Sequence, residues 1–255
     1  MDSRPFVQIP SLFVQSKGDQ SSKVALLLTS ARQKCIVRVT GGCGNLSPEH
    51  AASMQQVLCE AFAGFAGAML FGGTRMVLKR DHSIIVPGIT EIPPLIRAQN
   101  PRSVVLGVVP RTQDFQIAPD LGMVVSSEPG NEFITIVHPD QDACLVVQHS
   151  ADQDVLWEAE YEECMRITEN LRTYAEWQSL LVCYNGGGVT EKELLATAAW
   201  KWPVLLIEGS GRVTDWYASN EEFLHSHPSV MVAKCDSLSI RRSLMSTGAI
   251  PSGRP

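Results

Sequence analysis

The sequence predicts an α/β domain in which a doubly wound, mostly parallel sheet carries helices on both faces. Three observations lead there. Short apolar runs rich in Val, Ile and Leu recur along the chain and are continuous rather than alternating, as strands buried on both faces require. Amphipathic stretches with a 3.6-residue period lie between them. Glycine-rich turns directly follow four of the runs. With 255 residues, 44% hydrophobic and 19% charged, the chain can bury one sizeable core, so one domain is the simplest organisation.

Residues 1–22 end in a polar stretch and are expected to form an N-terminal arm; residues 23–240 form the domain. Strands are predicted at residues 34–39, 68–71, 103–109, 133–137, 179–184, 203–207 and 230–233. After the first run, Ser47 and Pro48 open a stripe of Met54, Val57, Leu58, Ala61, Phe62 and Phe65, which predicts a helix with Ser47 as N-cap. A second helix is expected over 154–176, where Trp157, Tyr161, Cys164, Thr168, Leu171 and Ala175 share a face. A third should span about 191–200, and a fourth should begin near Asp215. Strands alternating with helices give right-handed βαβ units, hence a Rossmann-like α/β fold. Residues 241–255 carry Gly, Pro and Ser without periodicity and read as a C-terminal tail.

Composition excludes several classes. A net charge of −6 disfavours a nucleic-acid binder with a broad basic face, so an anionic ligand would be held by backbone dipoles and a few placed cations. The seven cysteines occur singly, with no C-x-x-C pair and an odd total, which reads as buried thiols in a reducing, cytoplasmic setting. No secretion signal and no membrane span are visible. His225 and His227 are spaced i, i+2, facing different ways on a helix, so no metal site is expected.

The glycines carry the functional signal. They lie at Thr40-Gly41-Gly42-Cys43-Gly44-Asn45, Gly72-Gly73-Thr74, Asn185-Gly186-Gly187-Gly188-Val189-Thr190 and Glu208-Gly209-Ser210-Gly211-Arg212. All strands of a parallel sheet point the same way, so the four loops should share one edge, where open α/β sheets place ligands. Glycine lets backbone N–H groups turn toward an anion, and Arg212 adds a planar fork of donors suited to a diphosphate. Plainer readings stand beside this one. Each loop could be only a tight turn. Thr190 and Glu193 form a T-x-x-E capping box, Arg212 could be a solvated cation, and Asp215 could merely cap a helix. Glu158, Glu160, Glu162 and Glu163 read as the wet side of their helix.

These residues resemble the SLOG superfamily, and within it the LSDAT-like branch found in the N-terminal cytosolic region of melastatin-type TRP channels and in stand-alone prokaryotic relatives. The motifs are Val39-Thr40-Gly41-Gly42 with Asn45, Phe71-Gly72-Gly73-Thr74, the strand 106–110, the Gly186–Gly188 loop, and Gly209-Ser210-Gly211-Arg212-Val213-Thr214-Asp215. The resemblance covers about residues 34–219 and implies a sensor of nucleotide-derived signals such as ADP-ribose, cyclic ADP-ribose or a related NAD-derived nucleotide. It implies a ligand bordered by Thr40, Gly41, Gly42 and Asn45, with Gly72, Gly73, Thr74, Gly186, Gly187, Gly188, Gly209, Ser210, Gly211 and Arg212 lining the diphosphate and ribose; Thr190, Glu193 and Asp215 join the candidate set. Arg75-Met76 departs from the small-residue turn that follows the second motif in the family, and with no channel segment in the sequence, gating is not the expected output.

The same superfamily includes LOG-type phosphoribohydrolases, whose Gly-Gly-x-Gly-Thr-x-x-Glu loop resembles residues 186–193 without the last glycine. That implies an alternative, a nucleotide N-glycosidase with Glu193 as catalytic residue, but the enzymes' arginine-bearing first motif is not recognisable here. Binding is the favoured expectation, with no catalytic residue. A third reading is an oligomerisation or docking module with a vestigial pocket. A homo-oligomer or an effector-domain partner is expected.

Overall fold

The computed structural model describes residues 11–14, 21–42, 47–112, 115–118, 122–147 and 158–251. The fold is α/β and Rossmann-like. The chain runs β1 (Ser11–Val14), α1 (Ser21–Leu28), β2 (Cys35–Gly41), α2 (Pro48–Ala61), β3 (Ala68–Phe71), β4 (Thr74–Leu78) and β5 (Asp81–Val86). A short 3-10 turn (Ile89–Glu91) leads into α3 (Ile92–Gln99), followed by β6 (Val104–Pro110), β7 (Gln116–Ala118), β8 (Gly122–Ser126), β9 (Phe133–Val137) and β10 (Ala143–Val147). Then come α4 (Glu158–Ala175), β11 (Gln178–Tyr184), α5 (Gly188–Ala199), β12 (Val204–Glu208), α6 (Arg212–Ala218), α7 (Glu221–Ser226), β13 (Val230–Lys234) and α8 (Ser237–Ser246).

Eight strands form one sheet in the order β1-β10-β6-β3-β2-β11-β12-β13, and every neighbouring pair is parallel. The apolar strand runs are continuous because both faces are covered. On one face Val37, Val39, Val182 and Leu205 pack with Met54 and Leu58 of α2, Ile96 of α3 and Leu244 of α8. On the other, Ile36, Leu106 and Leu145 meet Ile167 and Leu171 of α4, while Leu181 and Leu206 meet Leu194 of α5 and Tyr217 of α6. Ser47 caps α2 as its sequence predicts, its hydroxyl accepting the His50 N–H at 3.2 Å.

Several expectations need correction. The run 133–137 does not join the parallel sheet; as β9 it lies in a second, antiparallel sheet ordered β5-β4-β9-β8-β7, inserted between β3 and β10. Two parallel strands lie outside the predicted set: β10, a five-residue run between β1 and β6, and β1 itself. Part of the N-terminal arm is β1, paired along its length with β10. The boundary at residue 240 falls inside α8, and Leu244, Ala249 and Ile250 beyond it are buried in the core. Among the described residues no helix is long and apolar enough to cross a membrane.

Candidate functional site

The loops after β2, β3, β11 and β12 leave strands that are all parallel, so they share the carboxyl edge of the sheet. There the protein forms an open cleft of about 250 Å³. Its sheet-edge side is Arg38, Val39, Thr40 and Gly41 from β2 and Gly72 after β3; α4 adds Glu160, and α5 adds Val189 and Thr190. The opposite wall is the second sheet, through Thr74 and Met76 of β4 and Thr135 of β9, with Ile89 and Thr90 of the 3-10 turn. Met76 and Thr135 are paired across the β4–β9 ladder, which fixes this wall. The departure Arg75-Met76 is thus the start of a strand: Met76 turns to the cleft, while Arg75 forms a two-pronged pair with Glu91 (2.8–3.1 Å).

Of the candidates, Thr40, Gly41, Gly72, Thr74 and Thr190 line this cleft. A second group gathers around Arg212: a Cβ placed on Gly42 would lie 3.0 Å from its Nη1, and one on Gly187 would lie 3.1 Å from its Nη2. The guanidinium therefore lies across two glycine loops that have no side chain to displace it. Among the described residues it has no hydrogen-bond or ion-pair partner, and it is exposed. Arg212 itself sits in the left-handed region (φ 50°), uncommon for a side-chain-bearing residue. Beside it α5 begins at Gly188, where the first-turn N–H groups lack intrahelical partners.

The remaining candidates shape the turns. Gly73 (φ 55°) packs on Gly107, and its carbonyl accepts the His138 N–H at 2.8 Å. Gly186 (φ 85°) folds over Thr190. Ser210 is fully buried, its hydroxyl accepting the Asn185 N–H at 2.8 Å. Asp215 accepts the Gly209 N–H at 2.7 Å, so the Gly-Ser-Gly-Arg-x-x-Asp spacing staples its own loop. Gly211 adopts φ 102°, and Gly188 faces open space. Asn45 lies outside the described residues.

The residues that sequence reasoning missed lie at the base of the cleft. Arg38 is 8% exposed in the middle of β2; its Nε donates to Glu193 Oε1 at 2.8 Å and its Nη2 to Glu160 Oε1 at 2.5 Å. A charge in an otherwise apolar strand is the signal that could have found it, because a buried guanidinium demands carboxylate partners. Burial works against the Arg38 charge, yet Cys164, Glu193 and Glu160 together push its pKa well up. Burial raises the Glu160 carboxyl, and Arg38 opposes that rise. Two readings are overturned here. Glu160 and Glu163 are not on a wet face: Glu160 turns inward to Arg38, and Glu163 is buried against Arg166. Thr190 and Glu193 make no capping box, since α5 starts earlier, with Gly187 as N-cap, and Glu193 is 1% exposed and bound to Arg38.

In overall architecture the chain is similar to solved structures of the molybdenum cofactor carrier protein from Chlamydomonas reinhardtii (17% identity, TM-score 0.49, covering 86% of this chain and 99% of that one). It is also similar to the molybdenum cofactor binding protein of the phototrophic bacterium Rippkaea orientalis (16%, TM-score 0.48, 84% and 97%) and to a protein designated TM1055 (15%, TM-score 0.46, 84% and 99%). The likeness is one of fold. No family model matches the sequence, and no curated protein does.

The cleft wall is itself braced by charge. Asp140 donates its N–H to His138 Nδ1 at 3.1 Å, which leaves the ring hydrogen on Nε2, directed at Glu91 Oε2 at 3.2 Å. Burial would raise the Glu91 carboxyl, but hydrogen bonds from His138 and Arg75 outweigh it and hold the pKa below the usual value. Arg75, Glu91 and His138 thereby tie β4, the 3-10 turn and the segment after β9 together. No group of three or more His, Cys, Asp or Glu residues able to hold a metal occurs among the described residues.

Proposed function

We propose that this chain is a SLOG-type domain that binds a phosphate-bearing nucleotide derivative, such as ADP-ribose, cyclic ADP-ribose or a related NAD-derived nucleotide, and signals its presence to an effector partner or a second copy in the cytoplasm. One observation carries the reading: the Arg212 guanidinium, without a partner among the described residues, spans Gly42 and Gly187 beside the N-terminus of α5. An exposed fork of donors, backbone without side chains, and the positive end of a helix dipole together suit a phosphate or diphosphate. The left-handed backbone at Arg212 has the strain typical of ligand-contact positions.

Binding is favoured over N-glycosidic cleavage because Glu193, the carboxylate that the hydrolase reading requires, is buried and held by Arg38. A carboxylate that assists cleavage must reach the anomeric carbon or its attacking water. Calorimetry with ADP-ribose, cyclic ADP-ribose and NAD, on the wild type and on Arg212→Ala, tests the reading. Loss of a charge-assisted phosphate contact is worth about 1.5–3 kcal/mol, hence a loss of affinity of about 10- to 150-fold. Equal binding by both proteins refutes the role of Arg212. Chromatography of NAD and AMP incubated with the protein should show no nicotinamide or base released; release would favour the hydrolase.

A further inference from the structure

The cleft beside the Arg212 group has a different chemistry. Five threonines line it, Thr40, Thr74, Thr90, Thr135 and Thr190, and none of their hydroxyls has a hydrogen-bond partner among the described residues. Thr40, Thr74 and Thr190 are each at least nine-tenths buried. The charged groups there are Arg38 and Glu160, and Arg38 is engaged by two carboxylates. Glu160 uses Oε1 on Arg38; among the described residues Oε2 accepts no hydrogen bond, and it rests against bare backbone, where a Cβ on Gly72 would lie 2.9 Å away. Among the described residues the cleft therefore offers a charged acceptor, several hydroxyls and one cation already engaged by two carboxylates. A phosphate here would face the Glu160 carboxylate, with no uncommitted cation among the described residues of the cleft to offset the repulsion. Vicinal hydroxyls of a sugar fit: they donate to a carboxylate and exchange hydrogen bonds with threonine hydroxyls, as ribose does with acidic residues in other doubly wound folds.

We propose that Glu160 is the specificity-determining residue of a diol subsite, so that the cleft selects a ligand ending in an unphosphorylated sugar rather than in a phosphate. The proposal rests on the reading that Arg212 takes the phosphate groups, and it adds an orientation: anion toward Arg212, sugar hydroxyls into the adjoining cleft toward Glu160 and Thr190. Glycine at position 72 is then needed because any side chain would push the carboxylate out of the subsite.

The test is calorimetry with ADP-ribose, ADP and inorganic pyrophosphate on the wild type, Glu160→Gln and Thr190→Val. Both substitutions keep side-chain shape, and Arg38 retains its pair with Glu193 in each. The wild type should bind ADP-ribose at least tenfold more tightly than ADP. Glu160→Gln should weaken ADP-ribose by about tenfold while ADP and pyrophosphate stay unchanged, and Thr190→Val should show the same selectivity with a smaller loss. Two outcomes overturn the subsite alone: ADP and ADP-ribose bind equally to the wild type, or Glu160→Gln weakens all three ligands equally. If none of the three binds the wild type, the phosphate reading falls and this inference falls with it.

Discussion

Replacing Arg38 by methionine removes the cation that holds two buried carboxylates. The wild-type contacts are 2.8 Å to Glu193 and 2.5 Å to Glu160, and Glu193 is 1% exposed, so water cannot take over the role of the guanidinium. Breaking a buried pair by deleting one partner costs about 3–5 kcal/mol, and here one deletion orphans both carboxylates, which places Arg38→Met at the upper end of that range. For a domain of this size each kcal/mol moves Tm by about 2–4 °C, so a fall of about 10 °C or more is expected. The loss should depend on pH with a definite sign. Burial already raises the Glu160 carboxyl, and Arg38 is what opposes it. Without Arg38 the raised pKa rises further, and a group of that kind contributes stability at low pH that is lost as pH climbs through its folded-state value. The deficit against wild type should therefore be largest near pH 7.5 and shrink toward pH 5. Urea unfolding followed by tryptophan fluorescence at both pH values measures it, and the triple variant Arg38→Met, Glu160→Gln, Glu193→Gln should recover at least half of the loss. A deficit below about 1 kcal/mol at pH 7.5, within the range of exposed pairs, refutes the reasoning; so does an equal deficit at both pH values.

Two further outcomes follow from other parts of the structure. Glu91→Gln should cost about 3 kcal/mol near neutral pH, because Arg75 and the buried His138 lose their shared carboxylate. The Glu91 pKa is lowered by folding, so its contribution is present above the ordinary carboxylate range and lost as pH falls through the folded value; acid unfolding curves should be flatter in the variant. In thiol labelling with a disulfide reagent, Cys35, Cys144, Cys164 and Cys183 should react only after unfolding, since burial pushes Cys35 and Cys144 up to about 12 and raises the other two as well. Half-buried Cys235 should label before them, and fast labelling of Cys144 in the native protein would contradict the packing of β10.

The parallel sheet was legible because strands covered on both faces must be apolar throughout, and runs such as 179–184 and 203–207 have that property. The second sheet was hard to read for the complementary reason. Its strands lie in a thin layer with one face open: β5 is exposed along most of its length, and β4 alternates only partly, so neither produces a clean apolar run. The shared edge of the glycine loops followed from topology alone, and the structure brings Thr40, Gly41, Gly72, Thr74 and Thr190 into one cleft. The partners of the charged base of that cleft were out of reach of local pattern. Arg38 finds its partners 122 and 155 residues away, on helices whose own sequence assigned Glu160 to solvent and Glu193 to a cap.

That base also separates the roles of the two carboxylates. Both touch one guanidinium, yet only Glu160 lines the cleft; Glu193 has one oxygen on Arg38 and the other buried without a partner. Glu193 and Glu160 both engage the Arg38 guanidinium, so Arg38 stands at the cleft as a fixed donor rather than as a free cation. Glu160 is the carboxylate on the cleft side. A lone Arg38 would instead draw phosphate to the same spot and compete with Arg212 for it. In the proposed reading the glutamate of the Thr-x-x-Glu loop therefore acts at a distance: by satisfying Arg38 it leaves Glu160 as the carboxylate on the cleft and Arg212 as the guanidinium proposed to take a phosphate.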